Sequence, residues 1–284
     1  MLVHLNGQLV PEDQAMVSVF DRGFLYGDGL FETVLLRNGC PFRWEQHLQR
    51  LERGAAFLKI MLPFAPEQLR DFLDELVTEN RLPQAIVRLT LTRGIGPRGY
   101  SPVGADQPSL VMSLHPAPVV DLRQPPRWRL VTASPRLVPN DPLAAYKTCN
   151  KLSQILARAE AEAAHAQEAL LLNTDGQVVE AASSNLFWIE NGTVFTPPLA
   201  SGILPGVTRG VVLELSQRFG LPAKPGQITP NQLRQAEGVF LSLSTLGIAE
   251  AIALDGHSLA QSPLTAKLQA GYAELLRAET TPRP

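Results

Sequence analysis

Four dipeptides, Asn6-Gly7, Asn38-Gly39, Asp175-Gly176 and Asn191-Gly192, each stand between two short apolar runs, and they constrain this chain more than any other feature. Asn and Asp tolerate positive φ, and Gly adopts it without steric cost, which is the geometry a tight β-hairpin requires. Each pair therefore specifies two antiparallel strands: LVHLN with QLV, the run Phe31 to Leu36 with the residues after Gly39, ALLLN with QVVEA, and LFWIE with TVFTP. Between them the periodicity changes to that of helices. From Trp44 to about Leu58, Leu48, Leu51, Ala55 and Leu58 share a face; after Pro66, Leu69, Phe72, Leu73, Leu76 and Val77 keep helical spacing. AIVRLTLTRG and SLVMSLH read as two more strands, separated by the Gly/Pro loop GIGPRGYSPVGADQP.

The segment PAPVVDLRQPPR, residues 116 to 127, holds four prolines and reads as a linker. It predicts an N-terminal α/β domain over 1–118 and a second domain over 119–284. In the second half, strand RLVTA leads through a proline-bearing stretch to Lys147, which precedes a helix carrying Leu152, Ile155, Leu156 and Ala159. ILPGVTRGVVLELSQRFG is a tight turn feeding a helix with Val211, Val212, Leu215 and Phe219 inward; the strand GVFLSLS and a helix near 264–277 follow. Strands interrupted by helices make the fold class α+β, or mixed α/β, in two domains.

A net charge of −2 over 284 residues gives no electrostatic basis for binding nucleic acid or an anionic membrane. No window approaches the length of an apolar membrane span, and the N-terminus shows no signal-peptide pattern. Cys40 and Cys149 lie far apart in a chain large enough to do without a disulfide, so reduced thiols and a cytoplasmic location are expected. The five histidines have no metal-ligand spacing, and no metal is expected.

Lysine is rare here, five against 20 arginines, so a lysine in apolar surroundings stands out. Lys147, in PLAAYKTCNKL, follows such a run. Desolvation would lower its pKa and make the amine a nucleophile toward a carbonyl, although a lysine snorkelling to solvent fits the same pattern. Gly206, Val207 and Thr208, in LPGVTR, enter a helix, where successive N–H groups and a hydroxyl suit a phosphate ester or, more simply, cap the helix. Arg50, on the first helix, is a second phosphate candidate or a solvated charge. Glu180, among small and apolar neighbours in QVVEAASSNLF, needs a cation or donor: a protonated pyridine nitrogen, or one of the many arginines. Arg98 and Tyr100 sit in a loop long enough to carry function and are candidates for holding a substrate carboxylate.

The order of these segments is more specific than any one of them. DRGFLYGDGLFET, HLQRLER, YKTCNKL, VVEAASSNLFW and TPPLASGILPGVTR, taken in sequence, resemble the fold-type IV, or class IV aminotransferase, family of pyridoxal 5′-phosphate (PLP) enzymes over roughly residues 3 to 250. The resemblance implies that Lys147 is the Schiff-base lysine, Glu180 the partner of the pyridine nitrogen and Arg50 the phosphate arginine. It implies that Val207 and Thr208 bind phosphate, that Leu204 packs on the ring, and that Ser244 lies near the phosphate. It also implies a homodimer with active sites at the subunit interface, acting on a small amino-bearing substrate.

Within the family, RGIGPRGYSP is similar to a loop of 4-amino-4-deoxychorismate lyase, and the opening DRGFLYGDGLFET differs from that of branched-chain enzymes. Lys151 stands where many aminotransferases have a tyrosine, which departs from their pattern. The expected activity is thus the lyase reaction, giving 4-aminobenzoate and pyruvate. The alternatives are an aminotransferase (branched-chain, D-amino-acid or R-amine) and, more remotely, a non-catalytic binding protein on the same fold.

Overall fold

The computed structural model describes residues 1–119, 121 and 124–281; part of the proline-bearing linker, residues 120, 122 and 123, lies outside the described residues. Contacts along the chain divide it into two units. The first comprises Met1–Pro118, Tyr146–Asn150 and the residues from Arg277 onward; the second comprises Val119–Ala145 and Lys151–Leu276.

The first unit runs β1 (Leu2–Leu5), β2 (Gln8–Pro11), α1 (Arg22–Tyr26), β3 (Gly29–Arg37), β4 (Cys40–Pro41), α2 (Trp44–Leu58), α3 (Pro66–Asn80), β5 (Ala85–Thr92) and β6 (Ser109–Pro116). Its sheet has the order β2-β1-β6-β5-β3-β4, antiparallel throughout. Asn6 and Gly7 have φ of 50° and 82°, and Asn38 and Gly39 have 52° and 76°, so both hairpins close with left-handed turn pairs. Strand β5 alternates strictly. Ala85, Val87, Leu89 and Leu91 enter one core with Leu48, Leu51 and Ala55 of α2 and Leu69, Leu73 and Leu76 of α3. Burying each of those leucines contributes about 1.5–3 kcal/mol, which holds both helices on one face of the sheet. The other face carries Phe31 and Arg88.

Residues 146–150 return to the edge of β3. The N–H of Phe31 donates to the Lys147 carbonyl and that of Cys149 to the Gly29 carbonyl, both at 2.9 Å. Chain order alone assigns Lys147 to a domain beginning at 119; these backbone bonds place it with the first unit instead.

The second unit holds β7 (Arg127–Leu137), α4 (Leu152–Ala163), β8 (Glu168–Asn173), β9 (Val178–Ala181), β10 (Asn185–Glu190), β11 (Thr193–Thr196), α5 (Val207–Arg218), β12 (Ala223–Pro225), α6 (Pro230–Leu233), β13 (Gly238–Leu243), β14 (Gly247–Leu254), β15 (His257–Ser258) and most of α7 (Pro263–Glu279). Strand order is β12-β11-β10-β13-β14-β7-β8-β9. Pairing of Asn185 with Glu180 joins β10 to β9, so six strands form a closed ring. Closure pairs the edge strand β9 and brings the start of β10 to the end of β9. The fold is mixed α/β, with β7 parallel to both of its neighbours.

Three details differ from the sequence reading. At Asp175-Gly176 only Gly176 has positive φ, and the Asn173 side chain accepts from the N–H groups of Asp175 and Gln177, so this turn is a longer, Asn-stapled one. Strand β14 and its Asp255-Gly256 hairpin (φ 50° and 79°) are additional, although the second of these carries the same turn signal as the others. On α4, Leu152, Ile155 and Leu156 are exposed, and the buried face is Ala157 and Ala161. Those alanines pack with Ala133, Ala169 and Leu171, because small side chains let the helix lie close to the strands.

Candidate active site

The first unit builds a cluster around a buried carboxylate. Glu32 lies on β3, and one turn of α2 presents His47 and Arg50 to it. Arg50 donates from Nε to Oε1 and from Nη2 to Oε2, both at 2.7 Å, and His47 Nδ1 lies 2.7 Å from Oε2. All three are almost fully buried. Burial by itself would raise the Glu32 pKa, but the Arg50 charge and the bonds from Arg50 and His47 outweigh it and hold it at about 2. Burial lowers the pKa of His47; Glu32 opposes this, and the charges of Arg50 and Lys147 add to the lowering. His47 is therefore neutral at physiological pH, and with an ionised Glu32 opposite, its Nδ1 carries the proton and donates it.

Lys147 is half-buried, with Nζ 4.5 Å from the centre of the Phe31 ring. Over the same ring, at 4.0 Å, sits the Arg88 guanidinium, which burial pushes below its ordinary pKa. Arg88 and Lys147 thus share the Phe31 ring, and the Lys147 charge acts on His47 of the cluster.

The second unit offers a cradle made mainly of backbone. Glu180 Oε2 accepts from the Leu204 N–H at 3.0 Å, and Asn185 Nδ2 donates to the Leu204 carbonyl at 2.9 Å. The segment 204–206 is thereby stitched to the ends of β9 and β10. Approach is close enough that a Cβ on Gly206 would stand 2.0 Å from Asn185 Oδ1, so only glycine fits. Gly206 caps α5 without a side-chain cap bond. The first-turn amides point outward at the positive end of the helix dipole. Thr208 is buried in that first turn. On β13, opposite Asn185, Ser242 is buried with a hydroxyl that lacks a hydrogen-bond partner among the described residues, as does Ser184. Ser244 follows two residues later, half-buried.

Of the residues singled out from sequence, Lys147 and Arg50 lie in the first unit, while Glu180, Leu204, Val207, Thr208 and Ser244 cluster in the second. Arg98 and Tyr100 are exposed on the 94–108 loop, Tyr100 in edge contact with Tyr26 at 5.6 Å between ring centres. Lys151 caps α4. Sequence reasoning missed Glu32, His47, Phe31, Arg88 and Asn185. A signal existed for two of them: Glu32 falls at a core-facing position of an apolar strand, and His47 stands three residues before Arg50 on a helix. Among the described residues no group of metal-ligating side chains forms a site, and no helix is long and apolar enough to cross a membrane.

The first unit carries a half-buried lysine beside a buried charge cluster, and the second carries an anion cradle at a helix N-terminus. The sequence profile of the family described as amino-transferase class IV matches residues 29–253, and the chain belongs to that family. Its members are PLP-dependent enzymes of mixed α/β fold, and this chain is one of them. A putative branched-chain-amino-acid aminotransferase of Methanocaldococcus jannaschii is 36% identical over 257 residues, 90% of this chain and 88% of that protein. A D-alanine aminotransferase of Listeria monocytogenes is 34% identical over 283 residues, 96% of each. The crystal structure of 4-amino-4-deoxychorismate lyase from Pseudomonas aeruginosa superposes with a TM-score of 0.84 at 36% identity, covering 98% of both chains.

Proposed function

We propose that this enzyme is a 4-amino-4-deoxychorismate lyase, forming 4-aminobenzoate and pyruvate, with PLP held on Lys147. The observation that carries the cofactor assignment is the half-buried Lys147 amine over Phe31, beside the Glu32–His47–Arg50 cluster. The lyase reading is supported by the RGIGPRGYSP loop and by the likeness to the Pseudomonas lyase. An aminotransferase is the second reading, favoured by the aminotransferase relatives from Methanocaldococcus and Listeria.

The residues fit the cofactor. In the second unit the helix N-terminus at Val207 and Thr208 and the Ser242 hydroxyl offer donors suited to a phosphate, with Ser244 nearby on the chain; in the first unit Arg50 offers a charge suited to the same group. Leu204 supplies an apolar side chain for the ring, and Glu180, oriented by the Leu204 N–H, is the acceptor for a protonated ring nitrogen. When bound, PLP supplies an aldehyde that condenses with amines and a ring that spreads the charge of a carbanion. Lys147 would serve as the base that takes the proton from the substrate carbon bearing nitrogen. In an aminotransferase the same amine would return that proton; in the lyase the C–O bond to the enolpyruvyl group would break, the oxygen leaving as enolpyruvate, which takes up a proton to become pyruvate as the aromatic product forms. Arg98 and Tyr100 orient a substrate carboxylate. The protein acts as a cytoplasmic homodimer with active sites at the subunit interface. The exposed apolar residues Leu152, Ile155 and Leu156 on α4 support burial of that surface in an assembly.

A paired assay tests this. Aminodeoxychorismate should yield 4-aminobenzoate, whereas amino acids or amines with 2-oxoglutarate or pyruvate should give no keto-acid exchange at a comparable rate; the reverse pattern establishes the aminotransferase. Arg98→Ala should raise KM or lower kcat/KM with the cofactor still bound, and unchanged kinetics remove that role.

A further inference from the structure

We infer that Arg22 is a positioning residue for the substrate loop: its buried guanidinium fixes the backbone of residues 99–101 and so holds Arg98 and Tyr100 ready for a carboxylate. This rests on the carboxylate-binding reading of that loop given above.

The loop between β5 and β6 is anchored at its base independently of Arg22. Asp21 accepts from the hydroxyls of Thr92 and Ser109, both at 2.8 Å. Gly94 has φ of 81°, and a Cβ there would stand 1.8 Å from the Gln107 carbonyl oxygen, so the two limbs of the loop touch. Beyond that base, residues 97–104 have no strand ladder. The carbonyls of 99–101 look instead to one side chain: Arg22 Nη1 donates to Gly99 O (2.9 Å) and Ser101 O (3.1 Å), and Nη2 donates to Tyr100 O (3.1 Å). Tyr26, whose ring lies 5.0 Å from the Arg22 guanidinium carbon, accepts the Gly99 N–H at 3.1 Å.

The obvious other task for Arg22 is to neutralise Asp28, to which its Nε donates at 2.8 Å. Asp28 does not need it. Arg93 already binds both oxygens of that carboxylate, at 2.8 and 3.0 Å. Two guanidinium groups on one carboxylate leave an excess positive charge, and Arg22 is only 3% exposed. Three carbonyl dipoles of the loop solvate that charge, so the cost of burying Arg22 is offset only while the loop keeps this shape. Lysine offers no substitute, being a point charge without the planar fork that spans three consecutive carbonyls.

The test uses the PLP-loaded enzyme with Arg22→Gln, Arg22→Lys and Arg98→Ala. Amide hydrogen exchange should speed up at Gly99 and Ala105 in Arg22→Gln, roughly ten- to a hundredfold, the expectation for losing bonds to a charged donor. Kinetics are read with aminodeoxychorismate and with D-alanine plus 2-oxoglutarate. In Arg22→Gln, kcat/KM should fall by roughly 10²-fold, mainly through KM, with the visible absorbance of the bound cofactor retained. Arg22→Lys should lie between Gln and the parent. Unchanged exchange in Arg22→Gln overturns the inference, and so does a fall in kcat with KM unchanged. If Arg98→Ala raises KM and Arg22→Gln does not, this inference fails alone. If Arg98→Ala has no effect while exchange still accelerates, it is the carboxylate reading of the loop that fails, and the substrate role of Arg22 with it.

Discussion

The two units hold their candidate site residues by different physics. The first relies on side-chain charge: Glu32 locks Arg50 and His47 in a dry cluster beside Lys147. The second relies on backbone: Leu204, Gly206 and the open first turn of α5, tied to strand ends by Glu180 and Asn185. Charged clusters fail when one member is lost, since the remaining buried charge has no compensation. Backbone cradles depend on shape, and fail when a side chain fills the space. The difference teaches where each half is fragile.

Removing the proposed Schiff-base lysine should have the largest effect. Lys147→Ala should abolish turnover and the absorbance of the lysine-linked cofactor, and a variant keeping both would end the Lys147 assignment. Next comes the charge cluster: Glu32→Gln should destabilise the fold by about 3–5 kcal/mol, read by denaturant unfolding, because Arg50 stays buried without its partner. The same group sets an acid dependence. The Glu32 pKa is held at about 2, below its ordinary 4.5, so its contribution is complete above pH 4.5 and is lost as pH falls toward 2. In Glu32→Gln, stability against pH should be flatter across that window; an unchanged slope would show that Glu32 carries no such contribution.

The backbone half should respond more mildly. Gly206→Ala forces a methyl against Asn185 and should cost about 1–3 kcal/mol, with weaker PLP affinity in a cofactor titration. Ser242→Ala should change stability by less than about 0.5 kcal/mol, since its hydroxyl has no partner to lose, while lowering PLP affinity measurably. Equal losses of stability from Gly206→Ala and Glu32→Gln would erase the contrast between the two halves.

How much was legible in sequence followed the same contrast. Lys147, Arg50, Glu180 and the 206–208 turn stood out as candidates because each breaks a local pattern or sits at a helix entrance. Glu32 and Asn185 did not, since each acts through partners 15 to 19 residues away in sequence. Arg88 was lost inside a strand whose alternation reads as ordinary.

Local rules in the sequence determined the hairpin turns, both long helices of the first unit and the alternation of β5, because φ preference and hydrophobic period act over a few residues. Only the tertiary structure decided that 146–150 would rejoin the first sheet, that β9 would meet β10, and that α4 would bury its alanines rather than its leucines. Those outcomes depend on which surfaces can pack closely and which backbone groups still need partners once the strands have formed, and such demands arise between segments that no local pattern connects.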